Sequence, residues 1–160
     1  MEKSVISLSS ATEKELNEVT KIYGFPYSGA DVYVAKNNDR IIGFAAFFEK
    51  ELLKIEIEPR FRRYGTTQKL FQFAMQNHFK KNKATEKIIL RAAVPYGTRN
   101  QKKRQMMLEK WYAQQGGIRD AKATDWFHFM RPKRKETLMQ ARIRTQKKGI
   151  PTRPVRLRGI

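Results

Sequence analysis

The chain has 160 residues, no cysteine, and 34 Lys and Arg against 15 Asp and Glu, for a net charge of +19. That length suits one domain of about 130 residues with an appendage. The composition excludes disulfides and thiolate metal sites, no apolar run reaches the roughly 18 residues of a membrane span, and the N-terminus lacks the basic-then-apolar pattern of a secretory signal. A protein of the cytoplasm, or of the inside of a virion, is expected. His78 and His128 are the two imidazoles and stand far apart in the chain, so no transition-metal site is expected.

Val5, Ile6 and Leu8 suggest a short first strand. Thr12 and Glu15 spell a capping box, and Leu16, Val19, Thr20 and Tyr23 follow at helical spacing. This predicts a helix over 12–23, broken by Gly24 and Pro26. Three strands come next. Residues 31–35 lead to an Asn-Asn-Asp turn at 37–39, and residues 41–48 are apolar throughout, as in a strand buried on both faces. Leu53, Ile55 and Ile57 alternate with Lys54, Glu56 and Glu58, the pattern of a half-covered strand, which Pro59 closes.

A helix is predicted from Thr66, with Leu70, Phe71, Phe73, Ala74 and Phe79 on its apolar face. Lys80, Lys81 and Lys83 crowd its C-terminal end, where the helix dipole favours cations. Residues 88–94 read as a strand and 95–98 as a loop. Residues 101–115 read as a helix whose stripe is Met107, Leu108, Trp111 and Tyr112, ended by Gly116 and Gly117. Ile118 and residues 125–130 close the domain, and Pro132 marks its end. The order β-α-βββ-α-β-α-ββ belongs to the α/β class, with a largely antiparallel start and a helix crossover after the central strand. A domain over 1–131 and an arm over 132–160 are expected.

The stretch from Ile55 to Leu70 carries the chemistry. A strand runs through a short basic loop into a helix, so Arg62, Arg63, Tyr64, Gly65, Thr66 and Thr67 surround the start of that helix. Unpaired first-turn amides and the helix dipole both favour a phosphate there. Gly65 lets a ligand approach the backbone, and Thr66 and Thr67 add hydroxyls. An ordinary surface turn with two arginines has the same residues.

This stretch resembles the coenzyme A pyrophosphate signature of the GNAT acyltransferases, Val/Ile-x-Pro-x-x-Arg-x-x-Gly-x-Gly/Ala-x-x-Leu. Here it reads Ile57, Pro59, Arg62, Gly65, Thr67 and Leu70. The order of elements agrees with that family from about residue 4 to 130. Tyr112 and Gly116 resemble the family's Tyr-x-x-x-Gly helix end, and Trp126–Met130 its last strand. The resemblance implies a mixed, mostly antiparallel sheet flanked by helices. It implies acetyl-CoA as cofactor, its pyrophosphate held by amides of about 62–67 and its pantetheine arm admitted between strands that diverge after Glu58 and near Ala92. It implies direct attack of an amine on the thioester, with Tyr112 as acid and Glu51 or Glu56 as base. The chain departs from the pattern at Thr67, at Arg63 and at Gln105, where the family often has glycine or alanine, glycine, and asparagine.

The last 30 residues hold eleven Lys and Arg and a single acid, Glu136. Arg131, Lys133, Arg134, Lys135, Arg142, Arg144, Lys147, Lys148, Arg153, Arg156 and Arg158 are the expected nucleic-acid contacts. Pro151 and Pro154 bar helix near the end, so the arm is expected extended, ordering on a partner. Two functions follow. One is an acetyltransferase brought by its arm to a nucleic acid or ribonucleoprotein. The alternative is a GNAT-fold structural protein with little or no catalysis, in a large assembly such as a phage virion or ribosome-like particle, its arm touching nucleic acid or neighbouring proteins. No membrane partner is expected.

Overall fold

The computed structural model describes residues 5–24 and 29–132. The expected arm from Lys133 onward lies outside the described residues. The elements follow the expected order: β1 (Ile6–Ser10), α1 (Glu13–Tyr23), β2 (Asp31–Asn37), β3 (Arg40–Phe48), β4 (Glu51–Ile57), a 3-10 turn (Pro59–Tyr64), α2 (Thr66–Lys81), β5 (Lys87–Arg91), α3 (Gln101–Gln114), β6 (Ile118–Arg119) and β7 (Trp126–Met130). Among the described residues the strands form one sheet in the order β1-β2-β3-β4-β5-β7-β6. All neighbours are antiparallel except β4 and β5.

The capping box starts α1 as expected: the Glu15 amide donates to Thr12 Oγ1 at 3.2 Å and the Thr12 amide to Glu15 Oε1 at 3.1 Å. Residues 41–47 of β3 are buried without a break, because α1 covers one face and α2 the other. On the first face Val19 packs with Val32, Val34, Ile41, Phe44 and Ala46. On the second, Leu70, Phe71, Ala74 and Phe79 of α2 join Phe47, Leu52, Ile57, Ile88, Leu90, Phe127, Phe129 and Tyr112.

Two fastenings hold α2 down. His78 is fully buried, stacked on Phe47 at 4.2 Å, with Nε2 bonded to the Glu49 carbonyl at 2.6 Å. Arg131 sits at the other fastening and differs from its expected role in the arm. Its guanidinium donates to the carbonyls of Thr85 at 3.0 Å, Phe79 at 3.0 Å and Asn82 at 2.7 Å, and lies 5.1 Å from the Phe79 ring centre. The last carbonyls of a helix lack intrahelical donors, so a planar fork of N–H groups suits this place better than a phosphate would. Each nitrogen of the fork is committed within the fold.

Arg131→Ala should therefore destabilise the domain by about 2 kcal/mol, the usual worth of bonds from a charged donor, and Arg131→Lys should recover little of it. Thermal or urea melting checks this. A neutral Arg131→Ala would return the residue to the arm.

Candidate active site

The site begins where β4 and β5 part. Their parallel ladder holds only for Glu51 with Ile89 and Leu52 with Leu90. At that same place β4 carries a bulge: Phe47 faces Leu52 and Ala46 faces Lys54, which leaves Leu53 as the extra residue. A bulge bends its strand and increases the local twist. Beyond it β4 stays on β3 as far as Ile57, while its other edge has lost β5. The divergence expected after Glu58 thus starts already after Leu52, and β5 ends at Arg91 rather than Val94.

Side chains fasten both arms of the opening. The Glu58 amide donates to Ile42 on β3 at 2.8 Å. The carbonyl of that same peptide, on Ile57, therefore points away from β3, and Arg62 Nε donates to it at 2.8 Å. Arg62 here takes the place of the departed strand, and its Nε is spent on the backbone rather than held out to a ligand. On the β5 side, Gln105 Nε2 donates to the Ala92 carbonyl, and its Oε1 accepts from the Val94 amide at 3.0 Å.

The expected basic loop is the 3-10 turn, which holds Arg62, Arg63 and Tyr64. Gly65 follows at φ 67°, a left-handed conformation, and a Cβ built on it would meet nothing within 4 Å. Open space lies beside this backbone. The first turn of α2 has no side-chain cap and no acid. Thr66 is buried, 2% exposed, and Thr67 is half-buried.

Tyr112 and the two glutamates fall on opposite faces of the sheet. Tyr112 is 6% exposed and packs among Phe71, Trp111, Phe127 and Phe129. Burial pushes its phenol up to about 12. Leu52, Ile55 and Ile57 point to the same face as Tyr112, so the alternation of the strand sends Glu51 and Glu56 to the other. Glu56 pairs with Lys54 at 3.3 Å, whereas Glu51 stands beside Ile89 across the ladder. Ile89 in turn pairs with His128.

On this second face lies a cleft of about 330 Å³ lined by Lys87, Ile89, Asp120, Ala123, Trp126, Phe127 and His128. It abuts the last β4–β5 pairs through Ile89. Asp120 is held below the usual carboxylate range by the amides of Ala123 and Lys122, with His128 and Lys87 adding to the effect. In the sequence residues 126–128 stand out only as part of the closing strand, and His128 as an isolated imidazole. The alternation Trp126, His128, Met130 against Phe127 and Phe129 was the signal that could have found them.

The fold has counterparts among solved structures. A GNAT-family acetyltransferase from Staphylococcus aureus matches with TM-score 0.55 and 12% identity, over 79% of this chain and 99% of its own. The Escherichia coli ribosomal-protein-S18-alanine N-acetyltransferase matches with TM-score 0.54 and 15% identity, over 84% and 99%. A chain of the AtaTR complex bound to acetyl-CoA matches with TM-score 0.56 and 12% identity, over 78% and 92%. This chain has the GNAT fold. No family model and no curated protein matches it in sequence. In this GNAT fold Ile57, Arg62 and Gly65 of the resembling stretch sit at the mouth of the β4–β5 opening, and Gln105 of α3, where the chain departs from the family pattern, closes its far side.

The buried phenol sets a pH dependence. An unfolded tyrosine releases its proton near 10 and folded Tyr112 near 12, so its contribution to stability is complete below pH 10 and is lost as pH rises towards 12. Tyr112→Phe should flatten the fall in stability across that window, read by urea melts at pH 9 to 11.5. An equally steep fall in the variant would place its hydroxyl in water.

Proposed function

We propose that this chain transfers an acetyl group from acetyl-CoA to an amine on an acceptor that its basic surface recruits, a nucleic acid or a ribonucleoprotein. The observation that carries this reading is the coincidence of the Leu53 bulge, the parting of β4 and β5, and the uncapped start of α2 beside Gly65. Each feature alone is common. Together they offer a bare strand edge leading to a ready anion site.

Acetyl-CoA, when bound, supplies a thioester whose acyl carbon an amine can attack. The amides of Thr66, Thr67 and Gln68 receive the diphosphate, and the open side of Gly65 lets it approach. The free edge of β4 beyond Leu53 offers N–H and C=O groups to the amides of the pantetheine arm. The amine enters from the face of the Trp126–His128 cleft, where a Glu51 carboxylate oxygen takes its proton. Tyr112 stands on the opposite face, and its hydroxyl would return a proton to the thioester sulfur as the C–S bond breaks. Burial raises the phenol to about 12, so it keeps its proton throughout the working range. A net charge of +19 and the fold shared with an enzyme named for a ribosomal protein support a ribonucleoprotein acceptor.

One observation favours the second reading, a catalytically silent domain of a large assembly: Tyr112 is packed as tightly as a core residue. The two readings separate in one series. Calorimetry of the full chain should detect acetyl-CoA, and Gly65→Glu should abolish the binding by filling the open space with a like charge. Tyr112→Phe should keep binding and lower turnover by about 10²–10⁴-fold. Absence of binding at millimolar ligand supports the silent domain, and unchanged turnover in Tyr112→Phe makes that residue a packing group.

A further inference from the structure

The stretch from the end of β5 through α3 carries a charge that the acyl site does not use. Arg99, Lys102, Lys103, Arg104 and Lys110 lie there with Glu109 as the one acid. All five cations are exposed, and among the described residues none of them enters an ion pair. Tyr96 stands next to them with its side chain 98% exposed. Its loop is not slack: Gly97 turns it at φ 81°, and the Thr98 hydroxyl donates to the Pro95 carbonyl at 2.6 Å. Met106 and Met107 are 69% and 62% exposed on the same helix.

This arrangement works against α3. Lys102, Lys103 and Arg104 occupy its first turn, the positive end of the helix dipole, where cations are unfavourable. Asn100 precedes them in a left-handed conformation and supplies no side-chain cap, and no acid stands in the turn. The same chain obeys the opposite rule in α1, with Thr12 as cap and Glu13 and Glu15 in the first turn. A local rule broken without a packing gain marks a surface kept for a partner.

The partner must supply negative charge to several cations and a flat apolar group to an exposed ring. An acidic protein surface meets the first need and leaves Tyr96 bare. A duplex keeps its bases stacked inside. Unpaired nucleotides offer phosphates and free base faces together. We infer that Tyr96, Arg99, Lys102, Lys103, Arg104 and Lys110 form a contact surface for single-stranded nucleic acid on the folded domain itself, separate from the basic arm. The inference stands independently of acetyl transfer. Its position nonetheless fits that chemistry: β4 and β5 run parallel, so α2 and α3, which follow them, start from the same edge of the sheet, and a strand laid over the start of α3 lies at the mouth of the β4–β5 opening.

The test uses the full chain, arm included, titrated by fluorescence anisotropy with single-stranded RNA, single-stranded DNA and a duplex of one sequence at several salt concentrations. Neutralising Arg99, Lys102, Lys103 and Arg104 together to glutamine should reduce the slope of log affinity against log salt on single strands by about 3, at roughly 0.7 for each phosphate contact. Tyr96→Ala should weaken single-strand binding by about 5- to 100-fold, the worth of one stacked base, and leave the slope and duplex binding unchanged. The tighter of the two single strands identifies the natural source. The fourfold variant should melt at the same temperature as the parent or higher, since cations are removed from the wrong end of a helix. An unchanged slope and affinity in that variant overturns the proposal, as does an equal effect of Tyr96→Ala on duplex. Loss of acetyl-CoA affinity with nucleic-acid binding intact also overturns it, by assigning the cations to the cofactor's phosphates.

Discussion

A strand that keeps one neighbour and loses the other leaves a row of backbone donors and acceptors to be satisfied. In this sheet β4 is that strand: β3 accompanies it to Ile57, and β5 leaves after Leu52. Backbone polar groups withheld from both water and partners are costly, so the vacated edge has to be wet, bonded by side chains, or bonded by a ligand. The chain uses side chains at the rim, where Arg62 takes the Ile57 carbonyl and Gln105 holds Ala92 and Val94. Between those pins no other strand pairs with the edge among the described residues.

The Leu53 bulge also decides which side chains face which side. It shifts the alternation by one residue, so Leu52 joins Ile55 and Ile57 in the core under α2 and α3, while Glu51 and Glu56 share the face that bears the Trp126–His128 cleft. A carboxylate and a phenol are thereby set on opposite sides of one opening in the sheet. In the proposed transfer, where one reactant gains a proton as another loses one, that separation would keep a base and an acid apart. The anchors of α2, His78 at the Glu49 carbonyl and Arg131 at the last turn, keep the helix fixed so that its first turn stays aimed at the opening.

Much of the architecture was legible in the residues. The capping box at Thr12, the unbroken apolar run of β3 and the strand–turn–helix around Gly65 each rest on local rules, and each element appears where expected. What escaped depends on pairing. Leu53, Ile55 and Ile57 look like an uninterrupted alternation, yet Leu53 is 42% exposed because β3 pairs around it. Met107 seemed part of the α3 stripe and is 62% exposed, since that helix meets the core through Leu108, Trp111 and Tyr112. The sequence marks Arg62 and Thr66 by their place in the strand–loop–helix signature and Arg131 by the basic run it opens. The fold turns Arg62 and Arg131 back onto carbonyls and buries Thr66, which no spacing pattern records.

The central claim is that the β4 edge beyond Leu53 is kept bare for a ligand. Amide hydrogen exchange of the full chain, followed residue by residue with and without acetyl-CoA, tests it most directly. Amides on the outer edge of residues 53–57 and those of residues 66–68 should exchange readily in the free chain and become protected when acetyl-CoA is added, while the β3-facing amides, already bonded, should change little. Protection confined to other segments, or none at saturating ligand, would contradict it.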